Sequence, residues 1–174
     1  IASCLVGSEM CIRDRLGDKY WVKNFGVSAR TMLNKGDHPY MKEQAYQQAL
    51  AFNPNIVVIK LGTNDSKSFN WVYKADFIKD TQTMIDAFKA LPSQPEIYLC
   101  YPSKAYLTGE SINDDIISKE IIPMIKKVAK KNKLPVIDLH SAMDGMPELF
   151  PDHIHPNEEG AKVMAKAVYD AIKK

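Results

Sequence analysis

The segment IVVIKLGTND, residues 56–65, decides the fold. Its first six residues are apolar on both alternating faces except at Lys60, which is the pattern of a strand covered by helices on both sides. The sequence Gly-Thr-Asn-Asp follows at once, and residues of this kind end a strand and form a turn. We therefore expect a buried parallel strand with a polar loop at its carboxyl end.

Three other short runs rich in Val, Ile and aromatic residues have the same character, namely residues 21–26 (WVKNFG), 96–101 (EIYLCY) and 134–139 (LPVIDL). Apolar residues recur at helical spacing between them, in residues 39–52, 74–91 and 112–131, and again in a last helix with Pro156 in its first turn. Pro123 is expected to start a new helix or to kink one near Lys119. Strands alternating with helices predict an α/β domain, a parallel sheet with helices on both faces.

The composition excludes several classes of protein. The chain has 174 residues, 45% of them hydrophobic and 25% charged, with a formal net charge of +2. That balance argues against a nucleic-acid partner, and no apolar run approaches the roughly 20 residues of a membrane span. The three cysteines form no cluster with metal-ligand spacing, and an odd count argues against a disulfide scaffold. We expect one compact domain.

Residues 1–15 (IASCLVGSEMCIRDR) do not fit this pattern. Residues 3–6 are long enough for a first strand, but the rest is too short for a crossover helix before Trp21. The segment resembles a translated sequencing-adapter read-through at the end of a gene model. We therefore expect a non-native segment at 1–15, a domain at 16–174, and a degenerate first strand. The alternative is a divergent but genuine first strand and turn.

Three polar loops lie where a parallel sheet places its ligands, beyond the carboxyl ends of the strands or just before a helix. They are residues 24–31 (NFGVSART), residues 62–65 (GTND) and residues 152–156 (DHIHP). Asp152 is near enough in sequence to His155 to accept its imidazole N–H and to orient it as a general base. Asn64 and the backbone N–H of Ala29 are candidate donors to an oxyanion. Each signal alone also fits an ordinary cap, turn or loop, whereas their combination points to acyl transfer.

In these motifs the chain resembles the SGNH-type (GDSL) hydrolases, a family of esterases and lipases, from about Leu16 to the C-terminus. Residues 24–29 match the second block of that family, residues 62–65 the third and Asp152-x-x-His155 the fifth. The resemblance implies a three-layer, flavodoxin-like fold and no metal or cofactor. It implies that Asp152 and His155 belong to a Ser-Asp-His triad, and that Asn64 and the Ala29 N–H hold the oxyanion. It further implies a serine acyl-enzyme acting on short acyl esters of carbohydrates, and a secreted or periplasmic location.

Two departures from the family pattern bear on activity. The family has Gly at the position of Ala29, which Ala replaces without strain only if its φ is negative. The Gly-Asp-Ser block that carries the nucleophile is missing, and the nearest match is Leu5-Val6-Gly7-Ser8, which lacks the Asp. Ser8 is the nearest candidate nucleophile, but it lies too close to Ala29 in sequence for the usual helix to follow it. The match therefore favours a coincidence of the segment 1–15 over a working nucleophile.

Several alternatives remain open at this stage. Phe69, Trp71 and Tyr73 follow the Asn64 loop and suit either a sugar or acyl platform or packing in the core. The chain is either an esterase or a non-catalytic glycan- or acyl-binding module that lacks its nucleophile. A nucleotide-binding domain is disfavoured because no glycine-rich phosphate loop follows any predicted strand.

Overall fold

The fold is built on a parallel β-sheet. The structure is a computed structural model that describes residues 1–3 and 15–173, with side chains described for Ile1 and residues 15–173. Within these residues the sheet has five strands in the order β2-β1-β3-β4-β5, and all neighbours are parallel. The strands are β1 (Ala2–Ser3), β2 (Lys23–Asn24), β3 (Ile56–Ile59), β4 (Glu96–Tyr101) and β5 (Val136–Asp138). The predicted α/β class, with a parallel sheet, is confirmed.

The first strand is short and lies inside the sheet. Ala2 pairs with Lys23 on one side and with Val57 on the other, and Ser3 pairs with Asn24 and Val58. The expected degenerate strand thus occupies the position between β2 and β3. That residues 1–15 are a non-native segment stays a prediction.

Helices and one-turn segments connect the strands. The α-helices are α1 (Gln44–Ala51), α2 (Ser68–Trp71), α3 (Phe77–Lys89), α4 (Asp114–Ile116), α5 (Ile122–Asn132), α6 (Leu139–Ala142) and α7 (Glu158–Ile172). A π-helical turn, Ile117–Ile121, joins α4 to α5. Pro123 explains this turn, because its ring displaces the carbonyl four residues earlier, at Lys119. The predicted irregularity near Lys119 is confirmed.

The last helix begins slightly later than predicted. Its N-cap is Asn157, whose side-chain oxygen accepts the Gly160 N–H at 3.0 Å. Pro156 therefore precedes the cap rather than lying in the first turn of the helix. An Asn cap satisfies an N–H that the helix itself leaves free, which Pro cannot do.

The core lies in two layers, one on each face of the sheet. Val57 and Ile59 point toward α3 and α5, where Phe77, Met84 and Phe88 are fully buried. The alternate residue Val58 points to the opposite face, where α7 packs. Because both faces of β3 are covered, the strand leaves only its ends accessible, and the polar loop with Asn64 follows at its carboxyl end. No helix in the described part of the chain is long and apolar enough to cross a membrane.

Candidate active site

Asp152 and His155 form a hydrogen-bonded pair after β5. Nδ1 of His155 lies 2.6 Å from Oδ2 of Asp152, while Oδ1 of Asp152 accepts the backbone N–H groups of Ile154 at 3.0 Å and His155 at 2.6 Å. The hydrogen bond from the imidazole, helped by the two backbone N–H groups, holds the pKa of Asp152 well below its usual range. The carboxylate therefore stays ionised, and Nε2 of His155 is left free for proton transfer.

The pair is exposed, and contacts outside it hold its loop in place. The His155 side chain is 72% exposed, whereas Ile154 packs against the core. His153, which lies between Asp152 and Ile154, has a φ of +66°. Its carbonyl accepts the backbone N–H of Tyr106 at 2.8 Å. The Tyr106 hydroxyl donates to the Met143 carbonyl and accepts the Met146 N–H, both at 2.8 Å, so Tyr106 anchors the loop before Asp152.

Asn64 lies at the carboxyl end of β3, where Gly62 turns the chain. Gly62 has a φ of +122°, and a Cβ there would lie 3.0 Å from both Ile121 and Pro102, so only glycine fits without strain. Nδ2 of Asn64 donates to the Arg30 carbonyl at 3.3 Å. The bond uses one of its two amide hydrogens and leaves the other free to donate.

Ala29 adjoins Asn64 through this contact, because Arg30 is its neighbour in sequence. Its φ is +64°, so the condition for a strain-free Ala is not met. Arg30 braces the loop, with its guanidinium donating to the Ser28 carbonyl at 2.9 Å and to Glu43 at 2.7 Å. The structure thus brings Asn64 and the Ala29 loop together, whereas no hydrogen bond in the described residues links them to His155.

Sequence reasoning missed Asp65, which joins the Asn64 loop to the segment after Ala29. This carboxylate is fully buried and accepts the backbone N–H of Met32 at 3.0 Å and of Leu33 at 2.8 Å. Burial raises its pKa to about 6 even though these hydrogen bonds favour the charged form. Its place directly after Asn64 was the available signal, but it suggested only a helix cap.

The three candidate aromatic residues differ in their surroundings. Trp71 is buried in the core and its indole donates to Glu120 at 3.1 Å, so of the two alternatives, platform or packing, this residue takes the packing role. Phe69 and Tyr73 are 55% and 40% exposed. Of the three candidates, only Phe69 and Tyr73 have ring surface accessible to a ligand.

Ser8 and the two carboxylate-binding residues His140 and Lys104 lie apart from these loops in sequence. Ser8 lies outside the described residues. His140 contacts Asp114 at 3.1 Å and not Asp152, and no group of three or more potential ligands able to hold a metal occurs in residues 1–3 and 15–173. Hydrogen bonds from His140 and Lys104 outweigh burial and bring the pKa of Asp114 to about 2. This ionised carboxylate binds Lys104 at 2.8 Å and so secures the loop after β4.

Comparison with known proteins gives a family match over most of the chain. The family model of the GDSL-like lipases and acylhydrolases matches residues 7–163. An acetylxylan esterase of Xylanibacter ruminicola is 51% identical over 177 aligned positions, covering 91% of this chain and 37% of that protein. The chain thus spans little more than a third of this relative.

Solved structures share the fold at low identity. The lipase/acylhydrolase from Enterococcus faecalis superposes with a TM-score of 0.80 at 22% identity, over 99% of this chain and 92% of that one. The acetyl xylan esterase AlAXEase gives a TM-score of 0.77 at 21% identity, over 95% and 90% of the two chains. The α/β sheet with its flanking helices is therefore the three-layer, flavodoxin-like arrangement of the SGNH hydrolases. The chain belongs to the GDSL-like lipase/acylhydrolase family.

Proposed function

We propose that this chain is an ester hydrolase that removes acetyl groups from a carbohydrate through a serine acyl-enzyme. The observation that carries the proposal is the 2.6 Å contact between Asp152 and Nδ1 of His155, with the same carboxylate accepting two backbone N–H groups. This arrangement fixes the tautomer that leaves Nε2 as an acceptor. The identity with the acetylxylan esterase supports an acetylated sugar as the substrate.

Ser8 is the proposed nucleophile, and it lies within the range that the family model matches. Its Oγ attacks the ester carbonyl carbon while Nε2 of His155 takes the hydroxyl proton. The tetrahedral intermediate collapses, the C–O bond to the sugar breaks, and His155 returns the proton to the departing sugar oxygen. Water then repeats the sequence on the acetyl-serine and releases acetate.

Asn64 and the backbone N–H of Ala29 are the proposed donors to the oxyanion in both steps. The free amide hydrogen of Asn64 and the N–H of Ala29 belong to loops that a hydrogen bond already joins. Donors held in place before the reaction need no reorganisation as charge develops on the carbonyl oxygen, which is the source of their catalytic effect.

Labelling with a fluorophosphonate probe, followed by peptide mapping, tests the proposal directly. We expect an adduct on Ser8 that disappears in Ser8→Ala and is strongly reduced in His155→Ala, together with acetate release from acetylated xylan by the unaltered chain. His153→Asn is the matched control, since Asn tolerates the positive φ of this exposed neighbour and leaves Asp152 and His155 in place. A folded protein that forms no adduct and releases no acetate would contradict the proposal.

The second candidate function is a glycan- or acyl-binding module without catalysis. The missing Asp before Ser8 favours it, because the block Leu5-Val6-Gly7-Ser8 departs from the nucleophile motif of the family. For such a module we expect ligand binding with neither adduct nor turnover.

A further inference from the structure

Exposed apolar side chains gather next to Asn64. In the described part of the chain, the large hydrophobic residues that stand exposed are Trp21, Phe69, Val72 and Tyr73. The last three follow Asn64 closely, in α2 and just after it. Phe69 lies in α2, and Val72 and Tyr73 follow directly after its last residue, Trp71.

A chain of hydrogen bonds ties this turn to Asn64. Nδ2 of Asn70 donates to the Asn64 carbonyl at 2.9 Å and to Oδ1 of Asp37 at 3.0 Å. In return, Oδ1 of Asn70 accepts the backbone N–H of Asp37 at 2.8 Å. The positions of Asn64, Asp37 and the residue next to Phe69 are therefore fixed relative to one another.

Charged groups border the Phe69 ring. Nζ of Lys67 lies 5.7 Å from the ring centroid and 3.3 Å from Oδ2 of Asp37. Burial tends to raise the pKa of Asp37, but hydrogen bonds from Asn70 and Lys67 outweigh it and leave the pKa below the usual value. An open aromatic ring thus stands beside a carboxylate acceptor and an ammonium that has hydrogens to spare.

We propose that Phe69, Lys67 and Asp37 form a subsite for a xylose ring of the polysaccharide that carries the acetyl group. The proposal rests on the proposed function and names the part of the substrate that this side of the site recognises. The apolar face of the sugar lies on the Phe69 ring, while its hydroxyl groups donate to Asp37 and accept from Lys67. A largely apolar surface with a few fixed polar groups is the usual composition of such a site.

Binding of unacetylated xylotetraose, followed by NMR or calorimetry, tests the subsite without any need for turnover. We expect Phe69→Ala to raise the Kd about fivefold, as the loss of one aromatic contact does. Phe69→Tyr keeps the ring and is expected to bind like the unaltered chain. Trp21→Ala is the matched control, because Trp21 is another exposed aromatic residue, packed edge-on against Phe52 at the opposite end of the sheet.

Three results would overturn the subsite, provided that each variant melts as a folded protein. They are no binding of xylotetraose by the unaltered chain, equal binding by Phe69→Ala, and loss of binding in Trp21→Ala instead. A kinetic readout sharpens the test. In Phe69→Ala, the ratio of kcat/KM for acetylated xylotetraose to that for 4-nitrophenyl acetate is expected to fall about fivefold.

The two proposals fail in different ways. If no form of the chain releases acetate, the proposed hydrolase is wrong, and the xylotetraose titration still decides whether the subsite exists. If acetate is released and the ratio stays constant in Phe69→Ala, the hydrolase stands and the subsite is wrong.

Discussion

The candidate site has two halves that are built in opposite ways. The proposed oxyanion half, Asn64 with the Ala29 loop, is fixed by contacts between segments far apart in sequence, chiefly the buried ones of Asp65. The proposed proton-transfer half, Asp152 with His155, is exposed and is closed by bonds within four residues. The half-buried Asn64 and the exposed Ala29 are therefore held in position by a buried carboxylate beside them, whereas Asp152 and His155 are held by bonds within their own exposed turn.

The two carboxylates show the same contrast in their pKa values. Burial raises the pKa of Asp65 to about 6, whereas the hydrogen bond from His155 lowers the pKa of the exposed Asp152. One acid is perturbed by loss of water and the other by a specific partner. Substitutions at the two positions are thus expected to affect different properties of the molecule.

The largest effect is expected from Asp152→Asn. The amide cannot accept the Nδ1–H in the same way, so His155 loses its tautomer and its stabilising charge. We expect kcat/KM for acetate release to fall by about 10⁴. Asp144→Asn is the control, because Asp144 is an exposed carboxylate on the same loop and its ion pair among the described residues is with Lys104, at 3.7 Å. Equal activity of the two variants would mean that Asp152 does not orient the base.

Asn64→Ala tests the other half and is expected to lower kcat by about 10²–10³ through loss of one oxyanion donor. The melting temperature is measured alongside, because the variant also loses the bond to the Arg30 carbonyl. Asn55→Ala, at the other end of β3, serves as the control. A change in KM with kcat unaltered would place Asn64 in substrate binding and not in oxyanion stabilisation.

Asp65→Asn is expected to reveal a dependence of stability on pH. Because the pKa rises from 3.8 to about 6 on folding, this carboxyl contributes most to stability below pH 3.8, and the contribution is lost as the pH rises through 6. The variant does not titrate there. The free energy of unfolding of the unaltered chain minus that of Asp65→Asn is therefore expected to fall by about 3 kcal/mol between about pH 3.5 and pH 7. Urea unfolding at several pH values measures it, and a constant difference would contradict the raised pKa.

Tyr106→Phe probes the anchor of the exposed half. It removes the hydroxyl that bridges Met143 and Met146, with an expected cost of about 1–2 kcal/mol in free energy of unfolding. Tyr98→Phe is the matched control on β4, where the hydroxyl donates to the Glu96 side chain of its own strand at 3.1 Å. A smaller loss in Tyr106→Phe than in Tyr98→Phe would show that the bridge contributes little.

The smallest effect is expected from Ala29→Gly, which relieves the positive φ and keeps the backbone N–H. We expect a gain of up to about 1 kcal/mol in free energy of unfolding. The same replacement in a right-handed helix, Ala142→Gly, is expected to cost about 0.5–1 kcal/mol. Losses at both positions would show that Ala29 is not strained.

Local patterns predicted the elements whose cause is local. The run EIYLCY forms β4 at the predicted residues, Glu96–Tyr101, and Pro123 disturbs its helix near Lys119 as expected. The Asp152–His155 contact was also within reach of the sequence, because three residues of one turn contain both partners. In each case the interaction that decides the structure spans only a few residues.

The remainder depends on contacts that no short window contains. The role of Asp65 requires knowing that the segment from Met32 to Leu33 folds over it, and the positive φ of Ala29 reflects how that loop meets Asn64. In the sequence, Trp71 and Phe69 suit contact with a ligand equally well. The packing of α2 and the hydrogen bond from Trp71 to Glu120 distinguish them. Tertiary packing decides such choices between neighbours of similar chemistry.

The strand order also bears on how the chain reaches its native state. β3, β4 and β5 pair with their neighbours in sequence, whereas β1 must lie between β2 and β3. Pairing β1 with β2 closes a shorter stretch of chain than pairing β1 with β3. The longer stretch contains β2 and α1. Closing a long loop costs entropy before the strand contacts form. We therefore expect the β3-β4-β5 unit to assemble early and the insertion of β1 to limit the folding rate.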